Sequence, residues 1–558
     1  MKKIFFAFIA LSLACVACEP KEEIPQLVVD FTISANPCYA GTEVTFTANV
    51  TGGVAPYTYA WTVGESVNLS GESASWTPET NGTYVVKLTT TDSKGTTVDR
   101  SKNLVVEAAP IVATGEVTLL WNAKVEGYTS ITTPAVADDG SIYTCSRDVN
   151  KFLKFSKDGA LVWEKPLLEN AQSGSQVYGT PSIDTDGTIY IPGGNKGGDA
   201  QLVAFNPDGT VKWRFTDFWN KGEAHQAKIE GGNVAGIGKD NVYIGNTGSA
   251  GTVISVSKTT GTRVNYMMDA NGSGPAGGNR GGIVVSNNGY VGWCGGSYGI
   301  FGASTQALDL QGEGSPWAWR ACHSAASGWS MGNNQATIAA MEVNGKSLLI
   351  GMQAIKDNST GKFIYEKVYG VDFVTGEEVV NARIDACAQQ DQGGISVTEE
   401  GLIIAPLKYN MGADDGGIAL VDPVKNEMEA HFRIGENVTS APAIDQDGNI
   451  HFGTEAGNYY VVKYKGAGEF ETLVKKDIAE LLKSDDRYKD VYKETDVAKI
   501  WSGIVICDDG TILIQFTDND ERSLGGLMAI NVDYTTGPST KSQWPMMGQN
   551  RKHTNHQK

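Results

Sequence analysis

The stretch Ser182–Ile191, SIDTDGTIYI, admits two readings. Asp184, Asp186 and Gly187 resemble the start of a calcium loop, in which alternating carboxylates and a glycine wrap a hard cation. They equally resemble the tip of a hairpin, with Asp-Gly turning between two strands. Further copies decide between them. AVADDGSIYT turns at Asp139-Gly140, AIDQDGNIHF at Asp447-Gly448 and VICDDGTILI at Asp509-Gly510. Weaker copies turn at Asn288-Gly289, Glu400-Gly401, Asp240-Asn241 and Asn344-Gly345. A calcium loop needs about six oxygen ligands, including a distal bidentate Glu. No copy has that Glu at a suitable offset, and several lack the carboxylates. What persists is a two-residue turn able to adopt positive φ between alternating apolar residues, which predicts hairpins.

Successive turns lie 47 to 62 positions apart. A period near fifty built of strands and turns predicts propeller blades of about four short strands each. The second half of each unit agrees. KFLKFSKDGALVWEKP and QLVAFNPDGTVKWRFT each read strand, turn, strand, and Trp163 and Trp213 stand at the same offset from their turns. An aromatic repeated there is expected to pack between neighbouring blades. The count gives eight units; seven stays open because the fourth and eighth are irregular. VTLLWNAKV, from Val117 to Val125, precedes the first full unit and is expected to supply the outer strand of the last blade.

The repeats TPAVADDGSIY and FLKFSKDGALVWEKP resemble those of PQQ-like, quinoprotein-type β-propellers. The segment SQWPMMGQNRKHTN, Ser542 to Asn555, is similar to a Trp-Pro-Met…His-Thr signature that borders such domains. The resemblance covers residues 116–558 and implies a fold more than a function, because propellers of this type serve enzymes and scaffolds alike. In the dehydrogenases of the family a quinone sits in the central channel, commonly with calcium, and many carry a disulfide between adjacent cysteines. This chain has no Cys-Cys pair, no haem-attachment CxxCH and no clear cofactor-holding set, so no cofactor and no metal are expected.

Residues 28–107 have a different pattern. EVTFTANV, PYTYAWTV, GTYVVKLTTTD and TTVDRSKNLVVE alternate at sandwich-like spacing. PYTYAWTVG and NGTYVVKLTTTDSKG resemble PKD and related Ig-like domains, with Trp61 as the expected core tryptophan. The chain is thus expected to be all-β: a PKD/Ig-like sandwich at 28–107, a linker at 108–115 and an eight-bladed propeller at 116–558. Ahead of these, MKKIFFAFIALSLACVACEPKEE has a basic end, an apolar core and small residues before cysteine. That predicts a lipoprotein signal peptide over 1–17, lipidation at Cys18 (Cys15 being the other candidate) and an acidic tether over 18–27. EPKEE resembles the segment that follows the lipidated cysteine in surface-exported lipoproteins of the Bacteroidota. The expected location is the outer membrane, held by the lipid alone and facing outwards, with the sandwich as a spacer.

The formal net charge of −19 disfavours nucleic acid and anionic surfaces. The six histidines stand in no recognised motif, and neither HExxH nor GxSxG is present. Binding is therefore expected rather than catalysis. Polar or aromatic residues fall just before the first strand of each unit: Tyr178, His225, Gln226, Asn279, Arg280, Asn334, Gln390, Asp391 and Trp501. In a propeller these would gather at one mouth of the channel, as ligand contacts or merely to satisfy strand ends. SPWAWRACHSAASGWSMGNN interrupts the fourth unit with Trp317 and Trp319, and Trp219 precedes the third. Indoles with amides nearby suit sugar rings, which need an apolar face and donors for their hydroxyls; the same indoles would equally fill gaps between blades. A glycan is the expected ligand. Outer-membrane protein partners are the alternative, and an enzyme is a third.

Overall fold

The computed structural model describes residues 25–557 apart from 65, 108–110, 113–114, 128–131, 197–198, 219–227, 230–232, 247–252, 269–281, 295–299, 313–314, 317, 322–328, 332–337, 361–362, 385–392, 409–415, 490–496 and 518–523. The chain divides into two compact units, Met1–Pro110 and Ile111–Lys558.

The first unit is a β-sandwich. Its strands alternate apolar and polar residues, so one face of each sheet turns inward. A three-stranded sheet pairs Val28–Ile33, Val44–Thr51 and Ser73–Trp76; a five-stranded sheet runs Cys38–Tyr39, Thr97–Glu107, Gly82–Thr91, Thr58–Val63 and Val67–Ser70. Trp61 fills the space between them. Phe31 meets it edge-on at 5.1 Å, and its Nε1–H donates to Gly71 O at 2.9 Å.

The second unit is a propeller of eight sheets in chain order. In the first blade Ala135–Val136, Ile142–Ser146, Lys151–Phe155 and Leu161–Pro166 run from the innermost strand outward. The last blade takes its three inner strands, Val505–Ile506, Ile512–Thr517 and Leu524–Val532, from the end of the chain. Its outer strand, Val117–Glu126, comes from the start. Val117 pairs with Val532 and Glu126 with Leu524, so strand hydrogen bonds close the ring as the sequence led us to expect.

Three departures have physical causes. Asn344-Gly345 is a two-residue turn with both φ values positive, at 51° and 76°. At Asp139-Gly140 and its like only the glycine is left-handed, with φ of 79° at Gly140 and 83° at Gly187. Gly140 N–H donates to Ala137 O at 3.1 Å, and Ala137 N–H to Ser141 O at 2.9 Å. These are three-residue loops, in which a type I turn precedes one left-handed residue. Their carboxylates serve the turn: Asp139, Asp186 and Asp509 each accept the N–H two residues on, at 2.9 to 3.0 Å. SIDTDGTIYI is architecture. Second, the fourth blade carries a short helix, Thr305–Asp309, in the connection between its two outer strands, Ile300–Ser304 and Trp319–Ala321, and Asp309 accepts from Asn241 and Tyr243 of the third blade at 2.8 Å. Third, Ile111–Val112, expected in the linker, form a strand parallel to Glu471–Thr472 on the outer edge of the seventh blade.

Tryptophan locks one blade to the next. Trp121, Trp213 and Trp319 donate their indole N–H to Lys157 O, Lys258 O and Phe373 O of the following blade at 2.8 to 2.9 Å. Each lies over a turn glycine, Gly159, Gly261 or Gly376, where an added Cβ would fall 2.4 to 2.6 Å from the indole. Trp163 lies over Gly209 less tightly, an added Cβ falling 3.0 Å from its indole, and makes no such N–H bond.

Candidate functional site

The two mouths of the channel are built differently. Each innermost strand ends at a tight hairpin, and the chain's final segment runs past all of these ends. Arg551 O accepts from Val136 N–H, Lys552 O from Ile183, Thr554 O from Ile237 and Asn555 O from Val285, at 2.7 to 3.2 Å. Trp544 O accepts from Val397 and Pro545 O from Ile444. Gln543 Nε2 donates to Glu342 O of the fifth blade, and Arg551 pairs with Asp508 of the eighth at 2.8 Å. The segment therefore touches every blade and seals the hairpin mouth. Its Met547 side chain reaches the axis, packed between Val234 and Ala441 of opposite blades, and Thr133 Oγ1 lies 3.0 Å from its sulfur.

The other mouth receives the connections between blades. A collar of hydrogen bonds joins the seventh, eighth, first, second and third blades below it: Thr133 N–H to Thr180 Oγ1, Thr180 N–H to Asn233 O, Ile504 N–H to Ala441 O and Gly503 N–H to Thr133 Oγ1. Small residues at these positions let the strands crowd the axis. Above the collar stands Tyr178, half-buried, at the centre of a wired polar group. Its hydroxyl donates to Gln176 Oε1 at 2.5 Å; Asn195 Nδ2 donates to the same oxygen at 2.9 Å. Gln176 Nε2 donates to Asp148 Oδ1 at 2.7 Å. Arg147 holds that carboxylate at 2.9 Å and lies 5.6 Å from the Tyr178 ring centre. The group offers an aromatic face beside amide, guanidinium and carboxylate groups fixed by one another. Gln176, Asn195, Arg147 and Asp148 escaped the sequence reading. Arg147, Asp148 and Asn195 lie in connections between the second and third strands, and only connections into the first strand were searched.

Of the other sequence-predicted residues, Trp501 is half-buried in the connection into the eighth blade. Trp319 requires correction. It is only 7% exposed, and its N–H and ring are both committed to the next blade. It is a lock between blades and has no face left for a sugar. Trp219, His225, Gln226, Asn279, Arg280, Trp317, Asn334, Gln390, Asp391 and Cys18 lie outside the described residues. The Trp-rich insertion is nevertheless anchored: Trp329–Met331 pairs with Ile355–Asp357 of the long hairpin in the fifth blade. That hairpin buries Glu366 and Gln353 almost completely, a carboxylate and an amide within otherwise apolar strands.

Two other ionisable clusters are closed off. Glu436 accepts from Asn458, Thr454, Lys475 and Tyr460. Burial alone would raise its pKa, but these donors together lower it. His451 lies between Asp445 at 3.1 Å and Tyr459 at 2.6 Å, with all three fully buried. A quinone with calcium would need oxygen ligands around the axis. Thr133, Val234, Ala441 and Met547, which meet beneath the final segment, supply no carboxylate.

Residues 30–106 match the family model for the PKD domain. The first unit carries a PKD domain. Trp61, the expected core tryptophan, lies within the matched range and is buried. The chain is also similar to YxaL of Bacillus subtilis (strain 168), with 39% identity over 56 residues, 10% of this chain and 12% of that protein. A quinohemoprotein alcohol dehydrogenase from Comamonas testosteroni is similar over 75% of this chain and 76% of its own, at 13% identity and a TM-score of 0.48. BamB from Moraxella catarrhalis is similar over 74% of this chain and 100% of its own, at 12% identity and a TM-score of 0.45. No site residue is transferred from any of them. Among the described residues no helix is long and apolar enough to cross a membrane.

Proposed function

We propose that the chain is an outer-membrane lipoprotein, anchored through Cys18 and facing the cell exterior, whose propeller captures a carbohydrate without transforming it. The Tyr178 group carries this reading. It lies at the mouth that the final segment leaves open, and it combines a ring face with several hydrogen-bonding groups held in place. That is the combination a sugar ring requires. Among the described residues the acid–base pair His451 with Asp445, and His553, are buried away from any ligand, which supports binding over chemistry. Anchoring rests on the leader and on EPKEE after Cys18.

The test is affinity electrophoresis of the mature protein against a panel of plant and host glycans, with melting measured alongside. Tyr178→Ala should lose retention by roughly tenfold, the loss of about one stacking contact, with melting little changed. Retention that survives both Tyr178→Ala and Trp501→Ala removes the site. Protease treatment of intact cells should degrade the protein; protection until the outer membrane is ruptured would overturn the exterior location and favour a scaffold role in membrane assembly.

A further inference from the structure

The Tyr178 group stands on a backbone frame that the open mouth uses again. Val177 donates its N–H to Arg147 O, just past the second strand of the first blade, at 2.8 Å. That bond sets Gln176 and Tyr178, on either side of Val177, beside Asp148. Ile500 donates in the same way to Thr454 O, just past the second strand of the seventh blade, at 3.1 Å. Glu455 follows Thr454 as Asp148 follows Arg147, and Trp501 follows Ile500 as Tyr178 follows Val177. Trp501 therefore stands to Glu455 as Tyr178 stands to Asp148. Burial agrees: Val177 and Ile500 are buried, and the residues on either side of each are half-buried.

The carboxylate is held at the second place as it is at the first. Glu455 accepts from Lys408 Nζ at 3.0 Å and from Asn437 Nδ2 at 2.6 Å. Asp148 accepts from Arg147 at 2.9 Å and from Gln176 at 2.7 Å. Asn437 is the counterpart of Gln176 in the connection into the seventh blade, where Val438 N–H donates to Leu407 O. Both places thus set a ring beside a carboxylate, a cation and an amide that fix one another. In both the cation is committed to the carboxylate, with the side chains of Lys408 and Glu455 only 27% and 18% exposed. Trp501 enters the eighth blade and Tyr178 the second, two blades further round. Inner strands of neighbouring blades meet at the collar by hydrogen bonds such as Thr180 N–H to Asn233 O. Each step there is about one strand spacing, so two steps cover roughly 9 Å. A single sugar ring cannot lie on both aromatics.

We propose that Trp501 with Glu455, Lys408 and Asn437 forms a second sugar subsite, and that the ligand is an uncharged oligosaccharide with separate rings on Trp501 and Tyr178. This rests on the glycan reading above and narrows it. The sugar chain must be long enough to join the two aromatics, each of which supplies an apolar face. It carries no carboxylate or sulfate, because the cations at both places already have partners and the net charge of −19 repels polyanions.

The test uses the full mature protein and the same panel, divided into neutral glycans such as xylan, galactomannan and pullulan and polyanions such as polygalacturonate and heparin. The retained neutral glycan is then titrated by calorimetry as size-graded fragments, from the monosaccharide upward. Affinity should climb at the length that joins the rings and level off beyond it. Trp501→Ala and Tyr178→Ala should each remove that climb and weaken the longest fragments about tenfold. Trp501→Phe, which keeps a ring, should restore most of the climb, so a folding defect in Trp501→Ala does not decide the outcome. A monosaccharide that binds as tightly as the longest fragment would overturn the second subsite while leaving capture at Tyr178 intact. So would a Trp501→Ala protein that melts like the parent and keeps the climb. Retention on the polyanions in place of the neutral glycans would overturn the uncharged ligand. Retention on none of the panel would remove the glycan reading itself, and the second subsite with it.

Discussion

Acidification should loosen the final segment through His553. This imidazole is fully buried, with Nδ1 3.1 Å from Pro181 O and no partner at Nε2 among the described residues. Burial pushes its pKa down from 6.5 to about 4, and the hydrogen bond to Pro181 offsets only part of that. Nδ1–H donates, so the folded ring is neutral, and a second proton would have to enter an apolar space. Between pH 6.5 and 4 the unfolded chain therefore binds more protons than the folded one, and stability falls as the pH falls. At about 1.36 kcal/mol per pH unit, the loss reaches roughly 2.5 kcal/mol by about pH 4.5. The perturbation is His553→Asn, whose amide can still donate to Pro181 O but cannot titrate. Urea unfolding of the propeller, followed at pH 7.5 and 4.5, should show the parent losing about 2.5 kcal/mol more than the variant. Above pH 6.5 the variant should gain nothing from the change. Equal losses in the two proteins, or a His553 resonance that titrates near 6.5, would refute the reasoning. Lowered carboxylates such as Glu436 and Asp445 give up their contribution in a more acid window, so they do not imitate the effect.

The blades offer sharper stability tests. Trp213→Ala removes a buried indole and its bond to Lys258 O, and should cost about 3–5 kcal/mol, read as a lower denaturation midpoint. Gly159→Ala and Gly401→Ala both place a side chain at positive φ, but only the first drives its Cβ to 2.4 Å from Trp121. Gly401→Ala should cost about 1 kcal/mol and Gly159→Ala clearly more, by thermal melting. Ending the chain before Ser539 should leave the PKD domain's transition intact while the propeller becomes readily cut by protease at native pH.

Much of the fold was legible because each blade repeats a local signal. Asp139-Gly140, Asp186-Gly187 and Asp509-Gly510 carry their turn in the residues themselves, and the outer tryptophans return at one offset. The turn subtype was less legible: Asp139 stays out of the left-handed region because its carboxylate has the Ser141 N–H to hold. Trp319 shows where composition runs out, since an indole in a loop suits a sugar or a neighbouring blade equally. What decided it was Gly376, more than fifty residues away in another blade. The Tyr178 group was half visible. The ring stood out before its strand, but Gln176, Asn195 and Asp148 are ordinary surface residues until two connections meet. The path of the final segment was least visible, because its hydrogen bonds are to backbone and leave no side-chain period.

The sealing segment has a consequence for how the protein is made. A chain is made amino terminus first, so the strand Val117–Glu126 emerges long before Leu524–Val532, its partner across the ring. Until then Trp121 can find Gly159, but its own blade has no other strand. The residues that span all eight inner strands come later still. Synthesis therefore leaves ring closure to Leu524–Val532, and residues 543–555 then tie the inner strands together, so a product that stops before Leu524 remains an open row. Such a row exposes strand edges and uncovered indoles, features that chaperones and proteases recognise, so residues 524–555 act as proof that the message was read through them.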